Sequence, residues 1–389
     1  MGNSRRDILK LLGVSAASLA LTIDKVSAQT GSDGDILDVA IIGAGAAGLT
    51  AGFLLDQAGA NFRIFEADNR YGGRAFKREG FADFPLDLGG EWIHTNSRVL
   101  NKLSGQSDVE SLATEYLPMT SDVWDGEKLY SENRYAKGWR NEYRFIDTTW
   151  FDFFDAYMAQ GILDRISLNS IVTEIDCRSD ISRVQLATGE TIRARHVIVT
   201  VPLNVLKDGD IRFTPDLSDR KKRALQGAIM PDGFKLFLRM SDQFYPDLVL
   251  FDHGYETPES EIMFYNVSLD KPTNQNILGF FGHGALATPY VQMSEADMVK
   301  AALDLLDQLY DGVATPAYED HLLQNWSQSP FPRGTYSFFD GASPRTLGRP
   351  IDGRIHFAGE AYNQRFDGEW GYMHVAARSA YDAVKQIGG

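Results

Sequence analysis

Two short apolar runs near the start of the chain flank a glycine-rich turn and a helical stretch. Residues 37–42 are apolar at all but one position and rich in branched side chains, which is typical of a strand buried in a parallel sheet. Residues 46–55 continue with helical character, and a second apolar run, Phe62–Phe65, ends at Glu66. The pattern predicts a strand, a tight turn, a helix and a second strand, which together form one unit of an α/β domain.

Three later segments have their own periodicity. Residues 233–240 predict a strand in which the side chains of Lys235 and Phe237 share one face. Residues 294–310 predict an amphipathic helix whose core-facing positions are Met298, Ala302, Leu305 and Leu309. The end of the chain predicts a closing helix whose inner face carries Tyr372, Ala376, Ala380, Ala383 and Ile387.

The turn after the first strand carries a dinucleotide-binding fingerprint of the form GxGxxG. Glycines let backbone N–H groups approach a pyrophosphate at a helix N-terminus, and an acid after the second strand, here Glu66, binds ribose hydroxyls. Both strands and the acid accompany the glycines, which makes the pattern specific. The predicted cofactor-binding residues of the turn are Gly43, Gly45, Ala46, Ala47 and Gly48.

Two further segments favour FAD over NAD. Residues 71–75 (YGGRA) place Gly73 and Arg74 just beyond the acid, where they suit the second flank of a pyrophosphate. The C-terminal residues predict a strand, a Gly-Glu turn and the closing helix, whose N-terminus would direct partial positive charge at a ligand. A cofactor that is held by both ends of the chain is long, which suits FAD.

These motifs resemble those of the flavin-dependent amine oxidases, the family of monoamine oxidases, polyamine oxidases and histone lysine demethylases of that fold. The resemblance covers almost all of the chain after its first 28 residues. The segment LDLGGEWIH is similar to a family motif that passes beside the flavin ring, which implies cofactor contacts for Gly90, Glu91 and Trp92. The segment LNSIVTEID implies that the backbone of Val172 holds the adenine.

The resemblance also implies residues on the substrate side of the flavin. Lys235, in GFKLFL, matches the family lysine that binds a water at flavin N5. Trp326 and Tyr336, in NWSQSPFPRGTYS, and Tyr372, in EWGYM, imply aromatic groups at the flavin face. His94 stands where polyamine oxidases carry a histidine.

The C-terminal motifs imply the remaining cofactor contacts and one departure from the family. Glu360, in FAGE, is implied at the ribityl or phosphate region, and the backbone N–H of Met373 at flavin O2. Monoamine oxidases carry a cysteine bonded covalently to the flavin just before the cage tyrosine, and this chain has Thr335 there. The expected cofactor is therefore FAD held without a covalent bond.

The implied fold is α/β, with a Rossmann-type FAD-binding domain interleaved with a smaller substrate domain of mixed sheet. The FAD-binding domain is predicted in residues 36–92, 164–232 and 346–389, and the substrate domain in residues 93–163 and 233–345. The stretch between His94 and the adenine segment is shorter than in relatives, which leaves open how deep and how covered the substrate cavity is.

The resemblance implies oxidation of a small amine by transfer of a hydride equivalent to the flavin, followed by hydrolysis of the imine to a carbonyl compound. O2, giving H2O2, or a periplasmic electron acceptor would reoxidise the flavin. Polyamines and arylalkyl amines are the leading substrate types, and no metal is expected.

Three alternatives stay open at this point. An L-amino-acid oxidase on the same fold would need a cation for the substrate carboxylate, and Arg98 and Arg333 lie near site motifs. A flavin-binding electron carrier would not need Lys235 with its neighbouring aromatic groups. An NAD dehydrogenase is disfavoured by the C-terminal motif.

Composition and net charge exclude some classes of binding partner. The chain has 389 residues, 43% of them hydrophobic, with a net charge of −15, so it can form a large core and it repels nucleic acid and anionic lipid. Its one cysteine, Cys177, provides no internal disulfide and no thiolate metal site. The basic run 218–225 predicts a Ser-capped helix with a solvated charged face.

Residues 1–28 predict a twin-arginine signal peptide, followed by a linker in residues 29–35. Arg5 and Arg6 precede a short, weakly apolar run that ends at the small-residue cleavage signature Val26-Ser27-Ala28. Spanning a bilayer core of ~30 Å takes ~20 apolar residues, more than this run offers, so no membrane attachment is expected after cleavage. The prediction is export of the folded, cofactor-loaded protein by the twin-arginine machinery to a periplasmic or secreted location.

Replacing both Arg5 and Arg6 with lysine should retain the precursor in the cytoplasm, because the twin-arginine machinery recognises the two arginine side chains and not positive charge alone. Immunoblots of cytoplasmic and periplasmic fractions measure the distribution, with Lys10→Arg as a charge-conserving control. Continued export of the double variant would indicate the general secretory route.

Overall fold

The computed structural model describes residues 36–134, 136, 142–252, 260–339, 343–365 and 369–388. The predicted signal peptide and linker, residues 1–35, lie outside the described residues. Among the helices of the described ranges, none combines the length and the apolar character that crossing a bilayer requires.

An eight-stranded sheet, called here the first sheet, carries the predicted glycine turn. Its central strand, Leu37–Ile42, runs parallel to Thr191–Val199 on one side and to Phe62–Phe65 on the other, so both predicted strands are confirmed. Val39 and Ile41 enter the core on one face and Ala40 and Ile42 the core on the other, which explains why consecutive residues of this strand are apolar. From edge to edge the strands are Arg212–Thr214, Val172–Asp176, Ser182–Leu186, Thr191–Val199, Leu37–Ile42, Phe62–Phe65 and Ile166–Ser167, with Ile355–Phe357 paired to Thr191–Val199.

Two helices from opposite ends of the chain cover one face of the first sheet. The helix Ala46–Gln57, which the sequence predicted, packs against the closing helix Met373–Gly388. The closing helix buries its predicted alanines, and these small side chains allow a close approach. Ile387 is half-buried and packs against the same core, as predicted, whereas Tyr372 lies just before the first turn of the helix.

A seven-stranded mixed sheet, called here the second sheet, forms the other layer. Its strand Gly233–Met240 is buried on both faces and pairs antiparallel with its two neighbours, which confirms the predicted strand. The order is Tyr318–Asn325, Gly233–Met240, Asn276–His283, Glu261–Asn266, Leu248–Phe251, Ser121–Trp124 and Leu129–Ser131.

The helix Glu295–Leu309 covers the second sheet with the predicted positions on its inner face, but that face is wider than predicted. Leu306 is fully buried, whereas Leu305 is only half-buried at the edge of the core. Val299 and Leu303 join the buried side, so the apolar stripe is wider than the four predicted positions.

Shorter elements connect the two sheets. Among them, Arg98–Ser104 and Trp150–Phe154 pack into the core of the first sheet, although both fall within the range 93–163 predicted for the substrate domain. The other short helices are Val109–Leu112, Asp155–Ala159, Leu163–Arg165, Leu203–Lys207, Asp219–Gln226, Gly284–Leu286, Thr288–Val291, Ala314–Ala317, Pro344–Gly348 and Glu360–Tyr362. The two-stranded pairs are Lys77–Arg78 with Leu86–Asp87, Ala113–Glu115 with Tyr143–Phe145, and Ala228–Ile229 with Phe338–Phe339.

The helix Asp219–Gln226 corrects the prediction of a wholly solvated charged face. Ser218 caps it as expected, but Lys221 is buried and lies over the Phe357 ring. The Lys221 ammonium donates to the carbonyls of Leu347 (2.6 Å) and Arg349 (2.8 Å) at the end of another helix. Burial lowers the pKa of Lys221 to about 7.

Candidate active site

A cavity of about 850 Å³ lies where the carboxyl ends of the first-sheet strands face the second sheet. Such ends are the usual ligand-binding edge of an open parallel sheet. The predicted site residues that line it are Gly43, Gly45, Ala46, Ala47, Glu66, Gly73, Arg74, Gly90, Glu91, Trp92, His94, Val172, Lys235, Trp326, Tyr336, Glu360, Tyr372 and Met373. Gly48 is the one predicted site residue that is not part of the lining.

The glycine turn is set by close packing between the helix and the strand end. A Cβ on Gly48 would lie 1.9 Å from the carbonyl oxygen of Gly43, so Gly48 acts by letting the helix approach the strand. Gly43 has φ of +102°, which favours glycine, and a Cβ there would meet the Thr200 hydroxyl at 2.7 Å. The helix N-terminus consequently faces the cavity with its backbone N–H groups.

Glu66 lies at the end of the second strand with both carboxylate oxygens in use. One accepts from the backbone N–H of Ala44 at 2.6 Å, and the other accepts from that of Asp68 at 2.9 Å. Burial raises the pKa of Glu66, while these two backbone hydrogen bonds act in the opposite direction. The side chain is therefore held in one orientation toward the cavity.

Arg74 joins distant segments of the chain at the cavity wall. Its guanidinium donates to the Glu360 carboxylate at 3.0 Å and to the carbonyl of Thr335 at 2.6 Å. The Glu360 carboxylate also accepts from the backbone N–H (3.2 Å) and the hydroxyl (3.0 Å) of Ser337. Residues near 74, 335 and 360 are thus fixed relative to one another around one ion pair.

The backbone of the GGEW segment is closely packed in this wall. A Cβ on Gly89 would lie 1.8 Å from the Arg74 carbonyl oxygen, and one on Gly90 would lie 2.7 Å from the Met373 side chain. The indole N–H of Trp326 donates to the Leu88 carbonyl at 2.8 Å. This close packing leaves a flat stretch of backbone facing the cavity.

The two predicted tyrosines line the cavity, and each packs against a different histidine side chain. Tyr336 packs on His283, with ring centroids 5.3 Å apart, and burial raises its pKa. Tyr372 stacks on His94 at 4.4 Å and on His374 at 5.4 Å. The two segments are adjacent, since a Cβ on Gly371 would lie 3.0 Å from the Tyr336 ring.

Two carboxylates that sequence reasoning missed lie beside these aromatic groups. The Glu142 carboxylate is 2.9 Å from Nδ1 of His94, and Glu261 lines the cavity 3.8 Å from Nε2 of His283. Neither occurs in a recognisable motif, and only the pairing of distant strands brings them to the site. They give the substrate side of the cavity a negative charge.

Lys235 lies in the cavity wall in a buried polar cluster. Its ammonium donates to Glu91 at 2.7 Å and to the carbonyl of Asp87 at 3.2 Å. The Tyr265 hydroxyl donates to the same Glu91 oxygen at 2.8 Å. Burial raises the pKa of Glu91, but the charge and hydrogen bond of Lys235 outweigh burial and the pKa is lowered. The sequence pointed to Glu91 only as part of the GGEW motif and gave no sign of this ion pair.

The arginines that an amino-acid oxidase would need are placed differently. Arg98 is not part of the cavity lining. Arg333 lines the cavity, but its guanidinium already pairs with Asp208 at 3.0 Å and with Asp210 at 2.6 Å. In the described ranges, no group of three or more metal-ligating side chains could hold a metal ion.

Comparison with known families gives two matches. Residues 151–388 match the model of the family described as flavin containing amine oxidoreductase. Residues 41–105 match the model of an NAD(P)-binding Rossmann-like domain.

Among individual relatives, "Probable polyamine oxidase 4" of Arabidopsis thaliana is 30% identical over 221 residues, which is 55% of this chain and 43% of that protein. "Lysine-specific histone demethylase 1B" of Mus musculus is 27% identical over 217 residues, 54% of this chain and 26% of that protein. The chain thus matches less than half the length of these relatives.

Solved structures share the fold over nearly the whole chain. A putrescine oxidase with putrescine bound superposes with a TM-score of 0.74 at 16% identity, covering 91% of this chain and 99% of that one. A cyclohexylamine oxidase from Brevibacterium oxydans gives the same score at 18% identity, covering 91% and 99%. The predicted α/β class with a Rossmann-like domain is confirmed.

Gly48→Ala should lose bound flavin, because the added methyl group forces the helix away from the strand end. Overpacking costs about 1–3 kcal/mol, and a cost of this size at the turn would weaken flavin binding roughly 5- to 150-fold. Flavin content per protein after gel filtration and the thermal midpoint measure the effect. Gly161→Ala is the matched control, since a Cβ there meets open space, and equal flavin content in the two variants would contradict the packing argument.

Proposed function

The chain belongs to the flavin-containing amine oxidoreductase family, and from this we propose that it oxidises small amines with bound FAD. The observation that carries the proposal is the meeting of two sets of residues in one cavity. The dinucleotide cradle of Gly43 and Glu66 lines one part, while Lys235, Tyr336 and Tyr372 line another.

The residues of the cavity fit FAD. The cavity volume of about 850 Å³ lies in the upper part of the range for ligand sites, ~300–1,000 Å³. The lining runs from Val172 and Glu66 past the helix N-terminus at Gly45 to Tyr336 on the substrate side. Gly43 and Gly48 leave the close approach that a pyrophosphate needs, and Glu66 offers a fixed carboxylate for ribose hydroxyls. Arg74 would serve the second flank of the pyrophosphate.

Bound FAD would supply the two-electron acceptor for the C–H bond beside the amine nitrogen, and the resulting imine hydrolyses to a carbonyl compound. The protein's task is to present the neutral amine, and for an amine with a pKa of ~10 this costs about 4 kcal/mol near pH 7. Burial destabilises the charged form of an amine and lowers its pKa by as much as ~3–5 units, so a buried amine can be neutral near pH 7. Tyr336 and Tyr372 would instead favour the cation by roughly 0.5–2 kcal/mol. We therefore assign orientation to the tyrosines and deprotonation to the dry cavity.

The charge around the cavity supports an amine with a second cationic group. Glu142, acting through His94, and Glu261 provide negative charge beside the aromatic residues. A substrate carboxylate would meet these acids, while Arg333 is already paired. This favours polyamines or diamines over amino acids, in line with the names of the polyamine oxidase and putrescine oxidase that the chain resembles.

The remaining parts of the proposal are the state of the cofactor, its reoxidation and the location. Thr335 offers no thiol for a covalent flavin bond, and O2 or another acceptor would take up the electrons. The arginine pair of the first segment supports export in the folded state, for which the cofactor must be bound beforehand.

Flavin should appear in the supernatant when the purified yellow protein is precipitated with acid, because Thr335 cannot form a thioether. Absorbance of the supernatant and of the redissolved pellet measures the partition. Flavin that remains with the denatured pellet would contradict noncovalent binding.

A panel of amines and amino acids should separate the substrate classes. We expect putrescine, spermidine or an arylalkyl amine to bleach the flavin under anaerobic conditions, and L-amino acids to leave it oxidised, because Glu261 lines the cavity and a substrate carboxylate would approach a like charge. Stopped-flow absorbance measures the reduction rate. Glu261→Gln should slow reduction by a diamine more than by a monoamine of equal length. Fast reduction by L-amino acids alone would replace the amine assignment with an amino-acid oxidase.

A further inference from the structure

We propose that Glu91 is the positioning residue of Lys235: together with Tyr265 it keeps the lysine as a fixed, charged ammonium in the cavity wall. The inference rests on the proposed function only in that a flavin occupies the cavity. It assigns a role to a side chain for which the GGEW motif provides none.

The geometry shows a closed hydrogen-bonded array. One oxygen of Glu91 accepts from the Lys235 ammonium at 2.7 Å and from the Tyr265 hydroxyl at 2.8 Å. The Asp87 carbonyl accepts a further hydrogen bond from Lys235, and the Trp92 ring centroid is 5.3 Å from the ammonium. Lys235, Glu91 and Tyr265 are 4%, 7% and 1% exposed, so water does not compete for these groups.

Burial makes the pair mutually dependent. A lysine that is removed from water without a partner tends to lose its proton, and a buried carboxylate without a partner tends to gain one. Each charge here is the nearest counter-ion of the other, and removal of one partner leaves an uncompensated buried charge. The Glu91 carboxylate therefore determines the protonation state of Lys235.

The other charged groups around Glu91 strengthen this dependence. Arg144, which is 1% exposed, lies over the Tyr116 ring and adds a second buried positive charge. Burial and the charge of Glu91 raise the pKa of Asp87, so its carboxyl is a poor substitute counter-ion. Burial and the charge of Arg144 lower the pKa of Lys271 to about 8. If Glu91 were neutral, burial would still oppose ionisation of Asp87, and Lys235 would share the cluster with the like charges of Arg144 and Lys271.

It follows that Glu91 fixes the position of the Lys235 ammonium at the cavity wall. A charged ammonium in one rotamer can orient a water or an oxygen species at the cavity wall, while a neutral amine would be free to rotate. In the absence of Glu91 the same lysine becomes a titrating group.

The test uses the holoprotein and the visible spectrum of its resting flavin, titrated from pH 6 to pH 10. Glu91→Gln keeps the shape and the contact with Tyr265 but removes the charge. We expect it to introduce a spectral transition with a midpoint at least about two pH units below the ordinary value for lysine of ~10.4. The wild-type protein should lack this transition, and so should the double variant Glu91→Gln with Lys235→Met.

Two further variants keep the test decisive. Glu91→Asp keeps the charge but withdraws the carboxylate from the Lys235 ammonium, so it should shift the lysine transition in the same direction by a smaller amount. It also replaces Glu91→Gln if that protein does not fold. Asp247→Asn is the matched control, since Asp247 is a buried carboxylate that accepts from the backbone N–H groups of Met119 and Thr120 and does not pair with a lysine. Asp247→Asn should lower the thermal midpoint and produce no transition.

A Glu91→Gln spectrum as invariant as that of the wild type would overturn the assignment. So would a transition that persists after Lys235→Met, which would trace it to another group such as Lys271. Neither readout needs amine turnover. A protein that shows the lysine transition but is reduced by no amine would contradict the proposed function and leave the role of Glu91 in place.

Discussion

The ion pair between Arg74 and Glu360 is the interaction on which the site depends. Its partners are 286 residues apart in sequence, and Thr335 and Ser337 complete the same hydrogen-bonded group. The pair holds the YGGR turn, the segment before Tyr336 and the strand-to-helix turn of the C-terminus in one wall. Through this wall the cofactor cradle and the aromatic residues line one cavity. Removing either the N-terminal or the C-terminal part of the chain would remove one partner of the ion pair.

The sequence predicted well what depends on neighbours along the chain. The strand Leu37–Ile42, the glycine turn and Glu66 form a local unit, in which Gly48 is required by its close approach to the carbonyl oxygen of Gly43. Periodicity likewise identified the strand of Lys235. It missed Leu306, since the width of the buried stripe on a long amphipathic helix is set by the sheet that it covers.

The sequence could not reveal contacts made across the sheets. The partner of Lys235 is 144 positions away, and the partner of His94 is on a segment without any motif. Carboxylates such as Glu142 and Glu261 have no spacing signal, because strand pairing alone brings them together with the aromatic residues. The electrostatic character of the substrate side, on which the proposed preference for amines without an acid group rests, is visible only in three dimensions.

The buried Lys221 links the stability of the fold to proton uptake. Its pKa is about 7 in the folded protein against 10.5 as its ordinary value, so the unfolded chain holds this proton more tightly between those two values. Unfolding in that pH window binds a proton at Lys221. The free energy of unfolding therefore increases as the pH rises from 7 toward 10.5, and the protein becomes more stable. Below pH 7 the full cost of a buried ammonium is present, offset by its bonds to Leu347 and Arg349. This lysine thus favours a folded state in mildly alkaline surroundings, although the surface of the protein is strongly acidic.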